Sequence, residues 1–94
     1  MSLSDERIRE IGEVVGLYEV SIEDVEPRLN IKIVKHEGMG FMGVANLEVK
    51  GKGCASFYRS LYIQDTKEKA FEDALRGFFA FYSKEAEVRI VKDW

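Results

Sequence analysis

From Val44 to Lys50 the side chains alternate: Ala45, Leu47 and Val49 are apolar, while Asn46, Glu48 and Lys50 are polar. The run stops at Gly51-Lys52-Gly53. A period of two ended by a glycine turn is a strand entering a hairpin, not a helix. This decides how the preceding string is read. Gly38-Met39-Gly40-Phe41-Met42-Gly43 has the G-x-G-x-x-G spacing of a phosphate cradle. A cradle needs a helix opening on the glycines, so that N–H groups and the helix dipole meet the anion. Here a strand opens instead. The acid expected about 20 positions on to hold a ribose is also missing, since that region reads Phe57-Tyr58-Arg59. The glycines therefore punctuate a hairpin. Gly38 and Gly40 turn the chain with positive φ, and Gly43, inside a strand, leaves room for a helix or a bulge. Nucleotide binding at Gly38–Gly43 is the least favoured function.

The second hairpin sets the faces of the sheet. Strands are expected at about Asn30–His36, Phe41–Lys50 and Cys54–Ile63. A three-residue loop, Gly51-Lys52-Gly53, places Val49 opposite Ala55, Leu47 opposite Phe57, Gly43 opposite Leu61 and Phe41 opposite Ile63. A slip of one residue would exchange the faces. This choice collects Phe41, Ala45, Leu47, Val49, Ala55, Phe57, Leu61 and Ile63 into a core face, with Arg59 as its exception. It leaves Met42, Val44, Asn46, Glu48, Lys50, Cys54, Ser56, Tyr58, Ser60 and Tyr62 on the other. Gly53 takes the left-handed position of such a loop.

Helices flank these strands. Ser4 with Asp5 and Glu6 reads as a helix start, and Ile8, Ile11, Val14 and Val15 follow at helical spacing. A first helix is expected over Asp5–Val15, closed by Gly16. Between Leu17 and Asn30, Pro27 limits any helix to a short turn after a short extended piece. The acids Glu23, Asp24 and Glu26 make a DNA-reading helix there a poor fit for phosphate. The second helix is the clearest element. Asp65 or Thr66 caps it, Phe71, Ala74, Leu75, Phe78 and Tyr82 form one stripe, and Gly77 sits at the back. It ends near Ser83, and Glu87–Val91 forms a last short strand. The expected fold is a single α+β domain over residues 1–94. A three- to four-stranded antiparallel sheet has two helices on one face, in the order α-(turn)-β-β-β-α-β.

Composition bounds the function. No stretch approaches the roughly 20 apolar residues of a membrane span, so a cytoplasmic protein without membrane association is expected. Cys54 is the lone cysteine and His36 the lone histidine. Together they cannot close a zinc site, and no metal or cofactor is expected. As a nucleophile and base they would lie at opposite ends of the sheet, about 20 Å apart by strand rise. No enzyme activity is expected. Asn30, Asn46, Gln64 and Thr66 are the only residues of their three types, a bias typical of heat-adapted chains. Met1–Leu29 carries eight acids against three bases, and Asn30–Ile63 carries five bases against two acids. The acidic segment is expected to lie near the basic sheet, in the same chain or a partner.

Two surfaces invite a partner. Phe79 and Phe81 extend the aromatic stripe of the second helix beyond what one sheet face covers. They are expected against the first helix or a second chain. The outer sheet face gathers Met42, Val44, Tyr58 and Tyr62, a patch that monomers seldom leave in water. The expected function is a non-enzymatic module that self-associates, as a homodimer, through that face or an edge strand. Coverage by the N-terminal segment or the last strand is the competing expectation. The alternative function is a nucleic-acid or acidic-ligand binder using Tyr58, Tyr62, Lys50, Lys52 and Arg59. In element order alone, residues 5 to 83 resemble the double-stranded-RNA-binding domain. The resemblance lacks that family's lysine cluster at Thr66-Lys67-Glu68-Lys69, and Glu37-Gly38-Met39-Gly40 lacks its histidine loop.

Overall fold

The computed structural model describes residues 12–94, apart from Asp24, Glu26 and Asp93. In chain order the elements are β1 (Gly12–Val20), β2 (Leu29–His36), β3 (Gly40–Ala45), β4 (Leu47–Lys50), β5 (Ile63–Gln64), α1 (Lys67–Phe81) and β6 (Glu87–Ile90). The main sheet is antiparallel, in the order β1-β2-β3-β5. β4 and β6 pair antiparallel in a second, two-stranded sheet. The α+β class and the antiparallel sheet are as expected. The described residues hold one helix rather than two.

The first correction is at the start of the chain. Gly12–Val15 belongs to β1 and is not helical; the Asp5–Ile11 part of the expected helix lies outside the described residues. Val14, Val15, Tyr18 and Val20 are β-branched or aromatic and favour a strand. Gly12 and Gly16 each weaken a helix by about 1 kcal/mol. Gly16 ends no helix. It follows a bulge, where the register jumps from Val14 opposite Val34 to Gly16 opposite Ile33. With β1 over Gly12–Val20 and no strand over Cys54–Tyr62, the described residues do not repeat the element order of the double-stranded-RNA-binding domain.

β2 falls where its alternation places it. β3 and β4 divide the expected Phe41–Lys50 strand at Asn46. The Asn46 backbone N–H donates to the Asn30 carbonyl at 2.9 Å, and its side-chain oxygen accepts from the Asn30 N–H at 2.7 Å. Its amide donates to the Arg28 carbonyl at 3.1 Å. Asn46 thus holds the start of β2 while the chain bends from one sheet into the other. Beyond it, the Val91 N–H reaches the Asn46 carbonyl at 2.8 Å, which leads β6 onto β4.

Cys54–Ile63 is the second correction. Apart from Ile63 it is not a strand, and it touches β4 through one bridge, Val49 to Tyr58. The Gly51 turn exists, with Gly53 at φ 82° and the Cys54 N–H donating to the Gly51 carbonyl at 3.0 Å. The tight hairpin does not. Side chains farther away hold this segment instead: the Tyr58 ring lies 4.7 Å from that of Phe81, and the Arg89 guanidinium sits 3.9 Å over Phe57. Ala55, Leu61 and Ile63, expected in the core, are exposed. Ser60, expected on the outer face, is buried and donates to Asp73 at 2.9 Å. Gly77, expected at the back of the helix, lets α1 meet Ser60: a Cβ there would lie 2.5 Å from the Ser60 Cβ.

α1 starts as its sequence requires. The Thr66 hydroxyl accepts from the Lys69 N–H at 3.1 Å, and Asp65 pairs with Lys69 at 3.1 Å. Its stripe covers the inner face of the sheet. Leu29, Ile31 and Ile33 of β2, Ala45 of β3 and Leu47 and Val49 of β4 are buried with Ala70, Ala74 and Phe78 of the helix. Each aliphatic side chain fully removed from water contributes about 1.5–3 kcal/mol. The closest approach is at Gly43. A Cβ there would strike the Ala70 carbonyl and come within 2.9 Å of the Ala74 Cβ. Gly43 faces Ile33 across the sheet rather than Leu61. Gly38 and Gly40 carry the positive φ of the hairpin turn.

Candidate functional site

β2 and β3 are apolar on both sides. Ile31, Ile33, Gly43 and Ala45 face α1, so the alternate residues Lys32, Val34, Met42 and Val44 face outward. Cross-strand pairing extends this outer face into rows. Val14 stands opposite Val34, Val34 opposite Met42, and Met42 opposite Ile63. One apolar row therefore crosses all four strands. Val14 is 58% exposed and Ile63 41%. The next row is Leu17, Lys32 and Val44, with Leu17 67% exposed. Among the described residues no helix lies on this side.

Trp94 reaches the second row from the end of the chain. Its indole N–H donates to the Val44 carbonyl at 2.8 Å. The Lys32 ammonium sits 4.9 Å over the ring and donates to the Trp94 main-chain oxygen. Part of the outer face is thus covered by the last residue. The row from Val14 to Ile63 has no such cover among the described residues.

Of the residues expected on this face, Met42 and Val44 are there. The others are elsewhere. Tyr58 is bridged to Val49 and packed on Phe81. Tyr62 is exposed in the irregular stretch before β5. Lys50 ends β4 opposite Glu87, and Lys52 pairs with Glu85 at 2.9 Å. The Arg59 guanidinium donates to the Ala45 carbonyl at 3.1 Å. Val14, Leu17, Val34, Ile63 and Trp94 were not anticipated on this face. The alternation of β2 marks Val34 as outward. Ile63 was assigned to the core by a register one residue off, which opposed it to Phe41 instead of Met42.

The remaining chemistry is dispersed. His36 lies at the hairpin end of the sheet, opposite Gly12 and Gly40. Cys54 lies past the other end of β4, in a hollow of about 240 Å³ with Val49, Phe57, Tyr58 and Phe81. The two therefore stand at opposite ends of the molecule. Among the described residues no three His, Cys, Asp or Glu side chains converge on a point. No described helix is long and apolar enough to cross a membrane. At Gly38–Gly43 the chain passes from β2 to β3, and no helix begins there. Of the acidic segment, Glu13 stands opposite Lys35 of the basic sheet, while Glu19 pairs with Arg28, inside the acidic segment itself. Asp24 and Glu26 lie outside the described residues.

The aromatic band of α1 is largely satisfied within the chain. Phe78 stacks on Tyr82 at 5.3 Å and meets Phe79 edge-on at 5.5 Å. The Tyr18 ring of β1 lies 4.6 Å from Phe71, and Phe81 is taken by Tyr58. Phe79 and Phe81 keep exposures of 47% and 38%. The chain matches no protein-family model, no curated protein and no solved structure.

Proposed function

We propose that this chain is a non-enzymatic module that self-associates as a homodimer through the outer face of its four-stranded sheet. One observation carries this reading: the unbroken row Val14–Val34–Met42–Ile63 across the sheet. Its ends Val14 and Ile63 are exposed and Val34 and Met42 between them are half-buried; an apolar patch left partly open to water in this way marks an interaction surface in a monomer. A flat sheet face is complemented by another sheet face, packed about 10 Å away with strands roughly 30° apart. A second copy supplies such a face with the same apolar row.

The nucleic-acid reading has less support. Its stacking platform needs exposed aromatic rings beside free cations. Tyr58 is packed on Phe81, Lys52 is paired with Glu85, and Arg59 is spent on the Ala45 carbonyl.

Sedimentation or light scattering between ~1 µM and ~1 mM tests the proposal over the range of weak to moderate dimers. Mass rises from monomer to dimer with concentration. Met42→Lys puts a charge in the middle of the row and holds the protein as a folded monomer. A wild-type protein that stays monomeric to ~1 mM, or a Met42→Lys dimer as tight as wild type, rejects the proposal.

A further inference from the structure

We infer that Trp94 is an integral part of the self-association face, and that its task there is to make Lys32 compatible with burial. The inference rests on the homodimer reading.

Lys32 is the difficulty of the outer face. It stands in the middle of the second row, between Leu17 and Val44, with Val34 next on its own strand. A second sheet laid on this face would take its ammonium out of water. A buried charge without a partner is strongly unfavourable and works against what the apolar row supplies. The described structure gives Lys32 two contacts on its own chain. Its ammonium donates to the main-chain oxygen of Trp94 and lies 4.9 Å over the indole ring. A cation over an aromatic face gains strength when water is removed. The indole N–H is likewise satisfied inside the chain, on the Val44 carbonyl at 2.8 Å. Once the face closes the indole N–H needs no water, and the ammonium keeps one hydrogen bond and the ring in place of water.

Area points the same way. Three strands of about five residues and the two residues of β5, at ~4.8 Å between strands and ~3.3 Å per residue, give a flat footprint of roughly 270 Å² per copy. Two copies reach about half of the ~1,200 Å² that marks the low end of stable interfaces. The part of Trp94 that its own chain leaves open adds to that footprint and brings a symmetric dimer toward the threshold. Tryptophan is also among the residue types that most often dominate an interface. The rival role is a removable cover, with Trp94 occupying the place of the second copy.

The dimer constant of Trp94 and Lys32 variants separates these roles, measured by sedimentation with circular dichroism as the check on folding. Trp94→Ala weakens the dimer by roughly 30-fold or more, the size of a dominant interface residue. Lys32→Met in the Trp94→Ala background recovers at least about ten-fold, because the stranded charge is gone. Trp94→Phe keeps the ring under Lys32 and loses the N–H, so its loss falls between. An unchanged or tighter dimer in Trp94→Ala, or no recovery with Lys32→Met, overturns the inference while leaving the homodimer intact. A wild-type monomer at every concentration removes the homodimer and this inference with it. A wild-type dimer indifferent to both Met42→Lys and Trp94→Ala places the contact on another surface.

Discussion

The two faces of the main sheet are built from the same strands and meet different surroundings. On β2, Ile31 and Ile33 point inward and Lys32 and Val34 outward. On β3, Gly43 and Ala45 point inward and Met42 and Val44 outward. The inner residues are buried under α1, which presses its Ala70 and Ala74 turn onto Gly43. The outer residues have nothing described over them except Trp94 at one corner. The inner face is small where the helix crosses, glycine and alanine letting backbones approach, and large on either side. The outer face carries Val14, Val34, Met42 and Ile63 in one row, with Gly12 and Gly40 only at its hairpin end. The two faces thus differ in shape, and hydrophobicity alone does not tell them apart.

The largest effect tests the inner face. Gly43→Val places branched carbons where the Ala70 carbonyl and Ala74 Cβ already stand. α1 must lift from β3, and neither contact is a flexible side-chain end that can move aside. Overpacking of this kind costs about 1–3 kcal/mol even where the core can shift, and here both walls are fixed, so the expected loss is at the top of that range or beyond. Thermal unfolding followed by circular dichroism reads it. A Gly43→Val protein that melts near wild type would mean that the helix does not rest on this glycine.

A smaller effect tests the boundary between the two sheets. Asn46→Ala removes the acceptor for the Asn30 N–H and the donor to the Arg28 carbonyl. Both groups are partly open to water, so the cost is about 1–2 kcal/mol, between a typical net hydrogen bond and a stranded buried one. Urea denaturation gives the number. A loss below ~0.3 kcal/mol would show that the bend is held by backbone bonds alone.

Legibility in the sequence follows the range of the forces involved. α1, β2, β4 and β6 were readable because their periodicity reports a face that packs as one unit. Thr66, the Phe71–Tyr82 stripe and the Ala45–Leu47–Val49 alternation each point to one answer. β1 was misread because Val14 and Val15 continue a helical spacing that starts at Ile8 and Ile11. The preference of Val14, Val15, Tyr18 and Val20 for a strand prevails only once β2 is beside them. The Cys54–Ser60 segment was misread because its position is set by Phe81 and Arg89, far along the chain. For the outer face, Met42 and Val44 were legible from alternation. Trp94 was not, since no local pattern announces that a terminal residue will cross back over 50 positions to Val44.

The smallest expected effect is the sharpest test of the two-face comparison. Val34→Thr keeps the shape and the strand preference of the side chain and adds a hydroxyl to the outer row. In the monomer that half-buried position still reaches water, and stability should move by no more than about 1 kcal/mol. In the dimer it meets the row of a second copy. The melting temperature of the variant should therefore stay near wild type in dilute solution and fall further below it as concentration rises, because wild type alone gains from association. Melting curves at two concentrations are sufficient. A large loss already in dilute solution would mean that Val34 is packed within its own chain, and the outer face would then be a second core surface rather than a partner surface.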